Sequence, residues 1–174
     1  MPDQNVALAL WRIAEKIDVI RSVTDSRLQH RDVIAALMEA CWWIAALDEQ
    51  LKDVRGKEYT DAKDATEDGY PIDGLRWARH RHSHDLIATG DGHVQPFFSD
   101  EPGVMFYISR GYRWRTVESM NLTGESATRS KDERVRYEAA VQGKEVVPIL
   151  EGALRWLTLA TSPESPPDEF SVPR

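Results

Sequence analysis

The sequence predicts a mainly α protein: one helical bundle over residues 1–160, a small inserted β-hairpin at about 104–117, and a disordered proline-rich tail at 161–174. Three observations lead there. Two N-terminal runs place apolar residues at three-and-four spacing with no Pro or Gly inside them. The same spacing returns near the C terminus. Between them, only the stretch from Val104 to Val117 switches to the alternating period of strands. At 174 residues, 41% hydrophobic and 29% charged, the chain suits one globular domain.

The first helix starts at Val6 and continues through Leu10, Ile13, Ile17 and Ile20; the polar run Ser22 to Ser26 ends it. The second carries Val33, Leu37, Cys41, Ile44, Leu47, Leu51 and Val54, with Gly56 as its stop. A short polar link joins them, which predicts an antiparallel helical hairpin. Trp11, Trp42 and Trp43 are expected in the core or between helices. Tyr59 to Gly69 is polar and mostly acidic and reads as a solvated loop. A third helix begins around Pro71 to Asp73 and runs through Leu75, Ala78, His82 and Leu86, and Thr89 to Gly103 reads as largely loop. Val104 to Ser109 and Tyr112 to Val117 are predicted to pair across a turn at Arg110 and Gly111. Helical patterning resumes near Lys131, pauses at Gly143 and continues from about Glu145 to Ala160, with Pro148 in the first turn.

Composition narrows the function. A net charge of −7 argues against coating nucleic acid by bulk charge, leaving only a local basic stripe. No apolar run approaches the ~20 residues of a membrane span. Val6 to Leu10 is soon followed by Arg12, Glu15, Lys16 and Asp18, which breaks up a secretory signal and predicts a cytoplasmic protein. The single cysteine, Cys41, excludes an intrachain disulfide framework and a cysteine-based zinc cage.

One segment has the residues for chemistry. Arg76 to His84 holds Arg76, Arg79, Arg81, His80, His82 and His84 with no acid among them. On an ideal helix, at about 100° per residue, Arg76, Trp77, His80, Arg81 and His84 share one side and Leu75, Ala78, His82 and Leu86 the other. Arginine offers planar, permanently charged donors for phosphate. Histidine gives and takes protons near neutral pH. Phosphodiester chemistry without a metal needs those two functions. His80 and His84 are also spaced for a metal, but no Glu lies between them as in a zinc-protease helix, and the flanking arginines repel a cation. No metal or cofactor is predicted.

Arg79-His80-Arg81-His82-Ser83-His84 resembles the motif of the HEPN superfamily: an arginine, a polar residue, then a histidine after four to six intervening positions. The order of elements is similar too, with a helical hairpin, the motif on a third helix, and a closing helix. The resemblance implies a small bundle that pairs as a homodimer and a metal-independent endoribonuclease of a toxin or phage-defence type, with an antitoxin or regulatory protein as a further partner. It implies that Arg79 holds the scissile phosphate, His84 transfers protons at the 2′-hydroxyl, and His80 supports them. On a straight helix Arg79 points roughly 140° from His84, and Arg76 to His82 offers a second register of allowed length. Arg76, Arg81 and Trp77 are candidate substrate contacts beside this motif. In the hairpin, Arg113, Arg115 and Trp114 interleave charge with a stacking plane, a composition suited to single-stranded RNA. The alternative is a non-catalytic module that holds a protein or nucleotide through the same stripe. For the hairpin, it is that the aromatics cap the core while the arginines are solvated.

Overall fold

The computed structural model describes residues 4–22, 27–82, 88–90, 95–98, 105–108, 112–120 and 131–162. The tail at 163–174 and the predicted turn at Arg110 and Gly111 lie outside the described residues. The fold is mainly α, in agreement with the sequence. Helix α1 (Gln4–Ser22) buries Ile13, Ile17 and Ile20 as predicted, together with Ala9, and Val6 and Leu10 are partly buried against the core. It lies against α2 (Arg27–Asp64), and Lys16 reaches Glu39 across that contact at 3.1 Å. Helices α3 (Ile72–His82), α4 (Lys131–Ala140) and α5 (Val146–Thr161) complete the bundle. Helix α5 sends Leu150, Ala153, Trp156, Leu157 and Ala160 into the core, and its Glu151 pairs with Arg21 of α1. No helix among the described residues is long and apolar enough to cross a membrane.

Gly56 interrupts α2 as expected, with φ 60° and ψ −133°, a conformation that requires glycine. The chain beyond it is not the solvated loop predicted. Residues 57–64 form further helical turns, and Tyr59 and Lys63, four apart, both point inward. Asp61 between them faces out, so composition gave the exposed side and concealed the buried one.

The β segment also departs from expectation. Both predicted strands exist, as β3 (Met105–Ile108) and β4 (Tyr112–Trp114), but they do not pair with each other. β3 pairs with β2 (Gln95–Phe98), inside the stretch expected to be loop, and β4 pairs with β1 (Ala88–Gly90). Both ladders are antiparallel and nested, Gly90 opposite Tyr112 in the outer and Gln95 opposite Ile108 in the inner. Local turn chemistry at Arg110 and Gly111 suggested the nearest partner, whereas the pairing is set by residues farther back in the chain.

The second edge of β4 is stitched to the link between α4 and α5. Trp114 donates its backbone N–H to the Lys144 carbonyl at 3.0 Å and accepts from Gly143 at 2.9 Å. Tyr137 of α4 donates its hydroxyl to the Arg115 carbonyl at 2.6 Å. The rings of Trp77 (α3) and Trp114 (β4) both pack on Tyr137, at 4.6 and 6.4 Å between centroids. This aromatic cluster joins the β segment to the bundle. Trp11 and Trp42, expected in the interior, are instead 55% and 50% exposed, and Trp43 is partly buried.

Candidate functional site

Helix α3 is packed between α2 and α4 rather than lying on the surface with one open side. That placement redistributes the predicted stripe. Gly74 makes the approach to α4 close: a Cβ there would meet the Tyr137 backbone at 2.9 Å. Trp77 is consequently 1% exposed, a core ring and not an open stacking plane. Arg81 is 6% exposed and drawn into the protein. Arg76 turns toward α2 and pairs with Asp48, with Glu133 of α4 3.7 Å away. Of the residues at the C-terminal end of α3 whose burial is described, Arg79 is half-buried and His80 exposed.

Those two residues meet. An Nη of Arg79 lies 3.3 Å from Nε2 of His80. Arginine can only donate, and it donates to an imidazole nitrogen that carries no proton. A guanidinium in the last turn of a helix also sits where the backbone dipole favours positive charge. Arg79 reaches back toward α2 as well. Burial pushes the thiol of Cys41 up to about 12, against the opposing pull of the Arg79 charge. Cys41 is fully enclosed, as the sequence indicated. His84 follows α3 and lies outside the described residues.

The β-segment candidates separate by face. Trp114 is 1% exposed, its indole N–H enclosed without a hydrogen-bond partner, so its plane serves the core. Arg113 and Arg115, two apart, take the other side of the strand. Arg113 donates to the Gly143 carbonyl at 3.0 Å and pairs with Glu145 at 3.4 Å. Arg115 donates to Ser119 Oγ at 3.3 Å. Both remain partly exposed.

Among the described residues, charge is concentrated elsewhere, in a network that the sequence reading missed. Asp48 has no exposed surface. Its Oδ1 accepts from Tyr59 at 2.9 Å and Lys63 at 3.2 Å, and its Oδ2 faces Lys52 at 3.0 Å and Arg76. Asp73, at the start of α3, receives Lys52 at 2.9 Å and Lys63 at 2.8 Å. Trp156 of α5 donates to the Tyr59 hydroxyl at 3.4 Å. Burial drives the Lys63 ammonium below its ordinary range despite the carboxylates of Asp48 and Asp73 beside it. Burial would raise Asp73, but Lys63 and Lys52 outweigh it and hold its carboxyl at about 2. Burial, reinforced by Asp48, raises the Tyr59 hydroxyl. The sequence does carry a signal: Asp48 sits between Ile44, Leu47 and Leu51 on the apolar stripe of α2. A carboxylate at a core position demands a cationic partner.

The network fixes Arg76 and the start of α3, and so sets where Arg79 and His80 emerge. Together these two place a permanent cation for an oxyanion and an imidazole side by side. Compared with known proteins, the chain matches no family model, no curated protein and no solved structure at a significant level.

Proposed function

We propose that the protein is a HEPN-like, metal-independent endoribonuclease of a toxin or phage-defence type, with Arg79 clamping the scissile phosphate, His84 transferring the proton at the 2′-hydroxyl and His80 supporting both. The observation that carries this reading is the contact of Arg79 with His80 at the solvent end of α3, while Arg76 is engaged by Asp48. That division favours the register beginning at Arg79 over the one beginning at Arg76. Arg113 and Arg115 are the surface cations left to guide a single RNA strand. Trp77 and Trp114 act through the core, by holding α3 against β4. RNA is the substrate, an antitoxin or regulatory protein the natural restraint, and the cytoplasm the setting.

The test is cleavage of single-stranded RNA by the purified full chain in EDTA, with analysis of the ends. Cyclic-phosphate termini support the mechanism, and a loss of at least ~10²-fold in His84→Ala matches the scale of general acid–base catalysis. Full activity in that variant, or an absolute need for added metal, would remove it. A second reading is a non-catalytic interaction module, and the exposure of Trp11 and Trp42 favours it. It predicts no cleavage by either protein and a bound partner that is lost when these rings are replaced.

A further inference from the structure

The bundle holds a cavity that the nuclease reading does not use. It has a volume of about 580 Å³ and lies between the link from α2 to α3, the end of α4 and the first turns of α5. That size falls in the range of small-molecule sites, about 300–1,000 Å³. The space exists because residues lining it are short, among them Ala139, Ala140 and Gly152. A side chain at Gly152 would collide with the Asp68 carboxylate at 2.7 Å. Tyr70, Pro148 and Ile149 give the cavity an apolar surface. Most of the charge around it is already answered. Asp64 takes both terminal nitrogens of Arg136 at 2.8 and 2.5 Å, and that guanidinium lies over the Tyr70 ring at 4.3 Å. Asp68 is held by Arg155 at 2.9 and 2.7 Å. Two charges remain. Lys144 and Glu67 both line the cavity, and among the described residues neither has an ion-pair partner.

These two residues stand on separate walls, Lys144 on the link between α4 and α5 and Glu67 on the link between α2 and α3. Both sit on pinned backbone, which presents their charges at little entropic cost. Lys144 donates its N–H to the Val141 carbonyl at 3.2 Å, and its own carbonyl accepts from Trp114 at 3.0 Å. Glu67 lies in a turn closed by Gly69 donating to Thr66 Oγ1 at 3.1 Å and by Tyr70 donating to the Thr66 carbonyl at 3.0 Å. The charge pattern selects among ligands. A purely anionic molecule would meet Lys144 but also the carboxylates of Asp64, Glu67 and Asp68. A purely cationic one would meet Glu67 but also Lys144 and Arg155. Each is opposed by like charge, whereas a molecule carrying both charges satisfies both walls. We infer that the cavity binds a small zwitterion with an apolar body, an α-amino acid or a short peptide with free ends, its ammonium on Glu67 and its carboxylate on Lys144. Occupancy would tie the turn that leads into α3 to the link that holds β4. The inference does not depend on the nuclease reading, and each can fail without the other.

Isothermal titration calorimetry of the full chain with leucine, phenylalanine and leucyl-leucine tests it, and comparing the three distinguishes a free amino acid from a peptide as the source. At least one of them is expected to bind with a Kd of about 10 µM to 1 mM. N-acetyl-leucine amide keeps the apolar body and loses both charges, so it should bind at least about tenfold more weakly. Glu67→Gln and Lys144→Met should each weaken binding about fivefold, the upper scale of a partly exposed ion pair. Ala139→Phe, which fills the cavity, should abolish it. All three positions are exposed, so circular dichroism should be unchanged. The proposal is overturned if none of the three probes binds below about 10 mM, if the capped amide binds as well as they do, or if the variants bind like wild type.

Discussion

The Lys63 ammonium and the Asp48 carboxylate lie 3.2 Å apart, and neither side chain has any exposed surface. An ion pair in that position contributes less by its own attraction than by what its absence would leave behind. Removing one partner strands the other charge in the interior, at a typical cost of about 3–5 kcal/mol. Asp48→Ala is expected to lose that much in urea denaturation, since Lys63, Lys52 and Arg76 all lean on this carboxylate. Asp68→Ala, which removes the exposed partner of Arg155, should leave the midpoint nearly unmoved. Equal effects of the two would mean the interior pair is not isolated from water.

Acid should expose the same network. Asp73 ordinarily titrates at 3.8 and is held at about 2 in the folded chain. Between those values the unfolded chain binds a proton that the folded one does not. Stability is therefore fully present above pH 3.8 and falls as pH drops toward 2, by about 2 kcal/mol from this group. Denaturation midpoints measured at half-unit steps should show the decline, and Asp73→Asn should flatten it.

Arg76 and Arg79 should fail differently when each becomes lysine. Lysine keeps the charge but loses the planar fork. Arg79→Lys is expected to impair RNA cleavage severely with an unchanged melting temperature. Arg76→Lys should lower the melting temperature, because it disturbs the pairing with Asp48 and Glu133. Arg81→Lys should impair cleavage far less than Arg79→Lys. If Arg76→Lys abolishes cleavage in a fully stable protein while Arg79→Lys is silent, the motif begins at Arg76.

Two glycines test how tightly α3 is seated. At Gly74 an added methyl meets the backbone of Tyr137 at 2.9 Å, and backbone cannot step aside. Gly74→Ala should cost about 1–3 kcal/mol, the range of overpacked cores. At Gly152 the nearest atom is the Asp68 carboxylate at 2.7 Å, the end of a side chain that can rotate. Gly152→Ala should therefore break the contact of Asp68 with Arg155 and cost much less. Thermal melts of the two variants compare them directly.

How much of this was legible depended on range. Helix α1, the long part of α2 up to Gly56, and α5 announce themselves because each buries one stripe, and periodicity records a single buried side faithfully. Helix α3 defeats the same method. It is enclosed by α2 and α4, so a wheel with one wet face put Trp77 and Arg81 outside when both are inside. The pairing of β4 with Ala88–Gly90 was hidden because strand partners are chosen across the chain, not by the nearest turn. The Asp48 network combined both difficulties: one carboxylate in an apolar stripe, and its lysine concealed in an acidic run. Of the candidate site, the pairing of Arg79 with its neighbour His80 could be read in the sequence, whereas the diversion of Arg76 to Asp48 required the bundle.

The outer ladder has an evolutionary corollary. Gly90 and Tyr112 face each other across β1 and β4, so the chain that carries β2 and β3 is inserted between two paired strands. Loop closure grows only slowly more costly with length, by roughly 0.6 kcal/mol per doubling. A change of length between the paired strands therefore costs little in closure. The inserted ladder of β2 and β3 is a place where a new specificity could be grafted while the helical frame stays as it is.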